Sequence, residues 1–136
     1  MAYKVEWLIP HQVIYCQFID ETNTDEIAEA NKEIVGLMDT CPKQRVHVIA
    51  DTLNLEKAPV KIQQVSQASQ SVRHHNSGWY VVVTNNQFFR FISNIVGQMW
   101  HKSQVKAAAS VKEAIDILKK NISGIDWSQL GGKQAL

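Results

Sequence analysis

The sequence has little of several features that indicate particular classes of protein. Its 136 residues include two cysteines, Cys16 and Cys41, which are too few and too isolated for a disulfide framework or a zinc site. No apolar run approaches the roughly 20 residues of a membrane span, and the N-terminus lacks the apolar stretch of a signal peptide. Basic and acidic residues number 14 and 13, a net charge of +1, without the basic excess typical of nucleic-acid binders. We therefore expect a soluble cytoplasmic protein without nucleic-acid binding or stable membrane insertion.

Motifs for cofactors, metals and nucleophilic catalysis are also missing. The chain contains no Walker, dinucleotide-binding or nucleophile-elbow fingerprint, and its five histidines do not occur at metal-ligand spacing. The segment 20–24 has carboxylates and no glycine, so it would repel a flavin phosphate. We expect Cys16 to be a buried thiol, and Cys41 to be more exposed but without a base to activate it. The sequence therefore predicts no cofactor, no metal and no catalytic residue.

Strand and helix patterns alternate along most of the chain, in the order β-β-α-β-α-β-α-β-α. Alternating or continuous apolar runs predict strands at 3–9, 13–19, 45–50, 79–84 and 104–108. Helical periodicity predicts helices that begin near Asn23, Pro59, Gln87 and Ser110. Such an order predicts a single α/β domain over 1–122, with a mostly parallel sheet, an N-terminal antiparallel hairpin and helices packed on the sheet. Residues 123–136 are polar and glycine-rich, and we expect them to form a flexible tail.

The segments at the joints between these elements resemble those of SpoIIAA-like proteins related to STAS domains. The resemblance covers about residues 3–120 and includes the hairpin with Trp7, Asn23-Thr24-Asp25-Glu26, Val48-Ile49-Ala50-Asp51, and Ser110-Val111-Lys112-Glu113. It implies a SpoIIAA-like fold and a regulatory role, since the family includes anti-sigma-factor antagonists. Phosphorylatable members carry a serine or threonine where the second helix begins, whereas this chain has Glu56-Lys57-Ala58-Pro59-Val60. The resemblance therefore implies a member without the phosphoserine switch.

Polar residues follow two neighbouring strands of the predicted sheet and form a candidate cleft. Asp51 and Thr52 come after the third strand, and Thr84, Asn85 and Asn86 come after the fourth. Open α/β sheets bind ligands at the carboxyl ends of their strands, so these side chains could converge on a polar ligand. Alternatively, they cap loops and helices, which is the commoner role of such residues.

The predicted helix from Gln87 to Trp100 has an apolar arc of about half its circumference, wider than the ~100° stripe that one sheet face requires. One margin of the arc either packs against a neighbouring helix or forms an interaction surface. The candidate surface residues are Phe89, Phe91, Val96 and Trp100.

Charge is distributed unevenly, although the total is small. From Asp20 to Asp39 there are seven acidic residues and one lysine, a balance of −6, and from Arg90 onward seven basic and three acidic residues give +4. These are either solvated helix faces or surfaces that orient self-association. Together with the apolar arc, they favour a non-enzymatic regulatory or interaction protein, self-associating as a homodimer or binding a protein partner. The alternatives are a protein that binds a small apolar or lipid-like ligand, and an enzyme that uses Asp51 with Asn85 or Asn86.

Overall fold

A sheet of five strands is the centre of the computed structural model, which describes residues 3–21, 23–41, 44–57, 76–85 and 104–130. Its strands are β1 (Tyr3–Ile9), β2 (Val13–Phe18), β4 (Val46–Asp51), β6 (Ser77–Val83) and β7 (Gln104–Ala108). They lie in the order β1-β2-β4-β6-β7. The pair β1–β2 is antiparallel, and every other neighbouring pair is parallel. The predicted mixed, mostly parallel sheet with an N-terminal hairpin is confirmed.

A small two-stranded ribbon lies beside this sheet, where the sequence predicted only loops. It consists of β3 (Asp20–Glu21) and β5 (Leu55–Lys57), which pair in parallel. The N–H of Asp20 also donates to the carbonyl of Asn54 at 2.9 Å. The ribbon forms because the segments after β2 and β4 leave adjacent parallel strands at the same edge, which brings their backbone groups within pairing distance.

Two helices lie in the described part of the chain, α1 (Thr24–Asp39) and α2 (Val111–Asn121). A capping box begins α1: the Asn23 side chain accepts from the N–H of Glu26, and the Glu26 carboxylate accepts from the N–H of Asn23. The hydroxyl of Ser110 caps α2 by accepting from the N–H of Glu113. Both helix starts agree with the sequence prediction. The helices predicted from Pro59 and from Gln87 fall outside the described residues.

The two helices cover opposite faces of the sheet. Successive side chains of a strand point to opposite faces, so Ile14 and Val48 pack in the cluster that contains Ile34 of α1. Tyr15 and Ile49, one residue further along their strands, pack in the cluster that contains Leu118 of α2. The central strand β4 is buried along its whole length, which is typical of a strand covered on both faces.

The segment after α2 packs on the same face as α2, although the sequence predicted a flexible tail over 123–136. Leu130 is 5% exposed, and Ile122, Ile125 and Trp127 pack against the core beside it. The side chain of Gln12 donates to the carbonyl of Gly124 at 2.9 Å and accepts from the N–H of Asp126 at 3.0 Å. Residues 123–130 therefore bury apolar side chains, and Gln12 satisfies two of their backbone groups; the flexibility of the tail stays a prediction.

Candidate functional site

A buried tyrosine–aspartate pair joins the middle of β2 to the carboxyl end of β4. The phenol of Tyr15 donates to Oδ2 of Asp51 at 2.6 Å, and the N–H of Leu53 donates to Oδ1 of Asp51 at 3.0 Å. Asp51 is 4% exposed, so these two donors replace most of the water that a free carboxylate would bind. The pair therefore fixes the start of the loop that follows β4.

Burial, and next the Asp51 carboxylate, raise the pKa of the Tyr15 phenol well above its ordinary value of 10.0. The phenol therefore stays protonated at neutral pH and remains a donor to Asp51. A general acid or base needs a pKa near the working pH, so Tyr15 is suited to holding Asp51 and not to proton transfer. Sequence analysis missed Tyr15; the available signal was that a buried tyrosine hydroxyl needs a hydrogen-bond partner.

The other residues of the predicted cleft lie along the same edge of the sheet. The N–H and the hydroxyl of Thr52 both donate to the carbonyl of Val83, at 2.9 and 2.7 Å. The N–H of Thr84 donates to the carbonyl of Ala108 at 2.9 Å, and its side chain is buried. Asn85 is exposed, and Asn86 lies outside the described residues. Thr52 and Thr84 therefore extend the sheet by bridging from one strand end to the next strand.

We call Tyr15, Asp51, Thr52, Thr84 and Asn85 the strand-end cluster. The structure brings these residues to one edge, and their described hydrogen bonds connect parts of the fold to one another. Capping and bridging account for the bonds of Asp51 and Thr52. Whether the cluster also meets a ligand stays a prediction. The candidate surface of Phe89, Phe91, Val96 and Trp100 lies outside the described residues and also stays a prediction.

An open groove lies between β7 and α2, on the face of the sheet that α2 covers. It has a volume of about 430 Å³, and the Lys106 ammonium lies 6.0 Å from the centre of the Trp79 ring. Its lining combines apolar and charged side chains: Trp79, Lys106, Ala107, Glu113, Asp116, Ile117, Lys120 and Asn121. One oxygen of Glu113 accepts from the N–H of Ala109 at 2.9 Å. This β7–α2 groove was not predicted, because it depends on how a strand and the following helix pack.

Within the described ranges, no three His, Cys, Asp or Glu side chains lie close enough to hold a metal ion. No helix in those ranges combines the length and apolar character that crossing a bilayer requires.

Comparison with solved structures gives the class of fold. The chain is similar to an uncharacterised protein of the DUF3478 family from Shewanella loihica PV-4, which has a SpoIIAA-like fold. The TM-score is 0.60 at 7% identity, over 86% of this chain and 94% of that one. It is also similar to the anti-sigma factor antagonist SpoIIAA in its unphosphorylated form. There the TM-score is 0.59 at 12% identity, over 89% of this chain and 100% of that one.

The chain therefore has a SpoIIAA-like fold, and the predicted resemblance is confirmed as a likeness of fold. At these identities the comparison says nothing further, because one fold serves many functions. No family profile matches the sequence, and no curated protein matches it.

Proposed function

We propose that this protein is a non-enzymatic regulatory domain that acts in the cytoplasm by binding other protein surfaces, including a second copy of itself. The proposal rests on the hydrogen bonds that the Asp51 carboxylate accepts. Both of its oxygens accept from groups of the fold, the Tyr15 phenol and the Leu53 N–H. A carboxylate held in this way positions a loop and is poorly placed to meet a substrate.

The loop that Asp51 holds is suited to contact a partner. Leu53 is 37% exposed, and among the described residues it is the one large apolar side chain that is exposed. A loop held at its base needs little further ordering when a partner binds, which favours affinity. In SpoIIAA-like proteins that are switched by phosphate, the switch lies further along this connection. The segment Glu56-Lys57-Ala58-Pro59-Val60 has no hydroxyl, so we propose regulation without phosphorylation there.

The charges on the two helices support an oriented self-association. Helix α1 exposes acidic side chains on one face of the sheet: Asp25, Glu29, Glu33 and Asp39. Helix α2 exposes three lysines, Lys112, Lys119 and Lys120, against two acidic residues, Glu113 and Asp116, on the other face. Opposite charges on two copies would attract, with an effect mainly on orientation and association rate, and salt would weaken the attraction. The apolar contact in this proposal comes from Leu53 and from the predicted surface of Phe89, Phe91, Val96 and Trp100.

Light scattering coupled to size-exclusion chromatography tests the proposal. We expect a dimer at high micromolar concentration, a smaller mass for Leu53→Ser or Trp100→Ala, and a smaller mass at high salt. Ser123→Ala, at an exposed position, is the matched control and should keep the wild-type mass. A monomer for the wild type at every concentration and salt would refute self-association.

The β7–α2 groove favours a second candidate function, the binding of a small lipid-like molecule. Trp79 and Ile117 offer apolar surface, and Lys106 and Lys120 could pair with an acidic head group. A volume of about 430 Å³ lies within the usual range of small-molecule sites.

Native mass spectrometry of the purified protein would detect a retained molecule. Titration with a medium-chain fatty acid, compared with the matching alcohol, should quench tryptophan fluorescence in the wild type and less in Lys106→Gln. Lys112→Gln, which changes a lysine outside the groove, is the control; no retained molecule and no quenching would refute this candidate.

A further inference from the structure

A cysteine and a histidine from distant parts of the chain meet at the edge of the α1 face. Cys41 directly follows Thr40, the C-cap residue of α1, and His11 lies in the turn between β1 and β2. Sγ of Cys41 and Nδ1 of His11 are 3.4 Å apart, within hydrogen-bond distance for sulfur. Cys41 is 5% exposed and Cys16 is 0% exposed; the expectation that Cys41 has no base beside it is wrong, because Cys41 contacts an imidazole.

His11 is the group at this site that can accept the thiol proton. The hydroxyl of Thr40 also lies 3.5 Å from Sγ of Cys41, but it donates its proton to the carbonyl of Leu37 at 2.6 Å. A hydroxyl has one proton, so Thr40 cannot donate to a thiolate while that bond persists. The neutral imidazole, by contrast, has one acceptor nitrogen, and a nucleophilic thiol requires such a base within hydrogen-bond reach.

Several contacts hold the two side chains in this arrangement. The backbone of His11 has a φ of 64°, in the left-handed region that few residues other than glycine adopt. The side chain of Gln44 donates to the His11 carbonyl at 2.6 Å, and the Trp7 ring packs beside the imidazole at 5.6 Å between centroids. On the other side, Asn76 donates to the carbonyl of Cys41 at 3.1 Å. The thiol and the base are therefore positioned by separate elements of the fold.

We propose that Cys41 is a modification site at which His11 assists oxidation of the thiol by small hydroperoxides. Neutral His11 with its own proton on Nε2 accepts the thiol proton at Nδ1, and the resulting thiolate attacks the terminal hydroxyl oxygen of the peroxide. The O–O bond breaks as the S–O bond forms, and the departing hydroxide or alkoxide takes the proton from His11. The products are the Cys41 sulfenic acid and water or an alcohol. Sulfur loses two electrons and the peroxide gains two, so the step is balanced.

The burial of Cys41 restricts the co-reactant to small molecules such as hydrogen peroxide. The added oxygen would lie between the end of α1 and the β1–β2 turn, where Cys41 and His11 are now in contact. Oxidation should therefore loosen this junction, and reduction by a small thiol should restore it.

The test is exposure of the folded protein to hydrogen peroxide for set times, followed by denaturation in dimedone so that the trapping reagent reaches any sulfenic acid, with peptide mass spectrometry to quantify each cysteine separately. The variant is His11→Asn, because asparagine tolerates the left-handed conformation and cannot act as the base. We expect Cys41 of the wild type to be labelled at least about tenfold faster than Cys41 of His11→Asn at neutral pH. The difference in labelling rate between the wild type and His11→Asn should become smaller at alkaline pH, where thiols in general ionise without help from a base. A purely structural role of His11 would not produce that pH dependence.

Cys16 is the internal control. It is fully buried on β2, and burial raises the pKa of its thiol well above the ordinary value. Labelling of Cys16 as fast as Cys41 would mean that both react through unfolding and would overturn the proposal. Equal labelling of Cys41 in the wild type and in His11→Asn at neutral pH would also overturn it. His11→Gly, which accepts the same backbone conformation, repeats the comparison if His11→Asn does not fold.

Discussion

The bond between Tyr15 and Asp51 gives the most informative stability prediction. Tyr15→Phe removes the phenolic oxygen that donates to Oδ2 of Asp51 at 2.6 Å and leaves the ring in place. Asp51 is 4% exposed, so water cannot readily replace the lost donor. A hydrogen bond to a charged group contributes about 1.5–3 kcal/mol, and the cost is larger when the remaining partner is buried. We expect a loss of about 2–3 kcal/mol in the free energy of unfolding.

The loss should be measured by urea unfolding followed by circular dichroism, with Tyr15→Phe, Asp51→Ala and the double variant forming a double-mutant cycle. At a total stability of about 5–15 kcal/mol, the variant should fold with a clearly lower midpoint and an unchanged slope. The loss in the free energy of unfolding of the double variant should be smaller than the sum of the two single losses by about 1.5–3 kcal/mol. Tyr3→Phe, which removes a phenol whose partner Glu33 is exposed to water, is the control and should change the midpoint less. A Tyr15→Phe midpoint equal to that of the wild type would refute the reasoning.

Three further predictions concern other parts of the fold. Nδ1 of His47 accepts from the N–H of Trp79 at 2.9 Å, and burial lowers the pKa of His47 from 6.5 to about 4. Because the unfolded chain binds the proton more tightly than the folded chain, the free energy of unfolding should fall by up to about 3 kcal/mol between pH 6.5 and 4. A His47→Gln variant should lack this pH dependence in urea unfolding. A Cβ added at Gly78 would lie 2.4 Å from the His47 ring, so Gly78→Ala should lower the unfolding free energy by about 1–3 kcal/mol. The control is Gly36→Ala, where an added Cβ meets nothing within 4 Å, and it should raise the unfolding free energy by about 0.5–1 kcal/mol. Equal effects of the two substitutions would contradict the packing described. Leu130→Ala should cost about 2–5 kcal/mol and speed hydrogen exchange over residues 123–130, and an unchanged exchange rate would contradict the docking of that segment.

Elements determined by local sequence were predicted well. The helix starts at Asn23 and Ser110 and the apolar run of β6 depend on residues within a few positions of one another, so the pattern alone predicts them. The likeness of fold followed because the order of strands and helices allows few topologies.

Contacts between distant residues could not be predicted in the same way. The Tyr15–Asp51 bond spans 36 positions and the His11–Cys41 contact spans 30, and neither has a spacing that a single sequence reveals. The first depends on strand register, since a shift of one residue would turn Tyr15 to the other face of the sheet, and the second depends on how the β1–β2 turn packs against the end of α1. The packing of the segment after α2 was missed for the same reason, because Leu130 and the partly buried Ile125 pack against residues that are distant in sequence. The strand-end residues were predicted to lie together, but their partners were not.

The measurement that tests the central claim most directly is the association constant of the wild type and of Leu53→Ser, from sedimentation over a concentration series at low and high salt. If the loop held by Asp51 is part of an interaction surface, the wild type should dimerise reversibly. Leu53→Ser should then weaken the dimer by about 1–2 kcal/mol, or roughly tenfold, and salt should weaken it further. A wild type that stays monomeric at high micromolar concentration, or a dimer that Leu53→Ser and salt leave unchanged, would contradict the account.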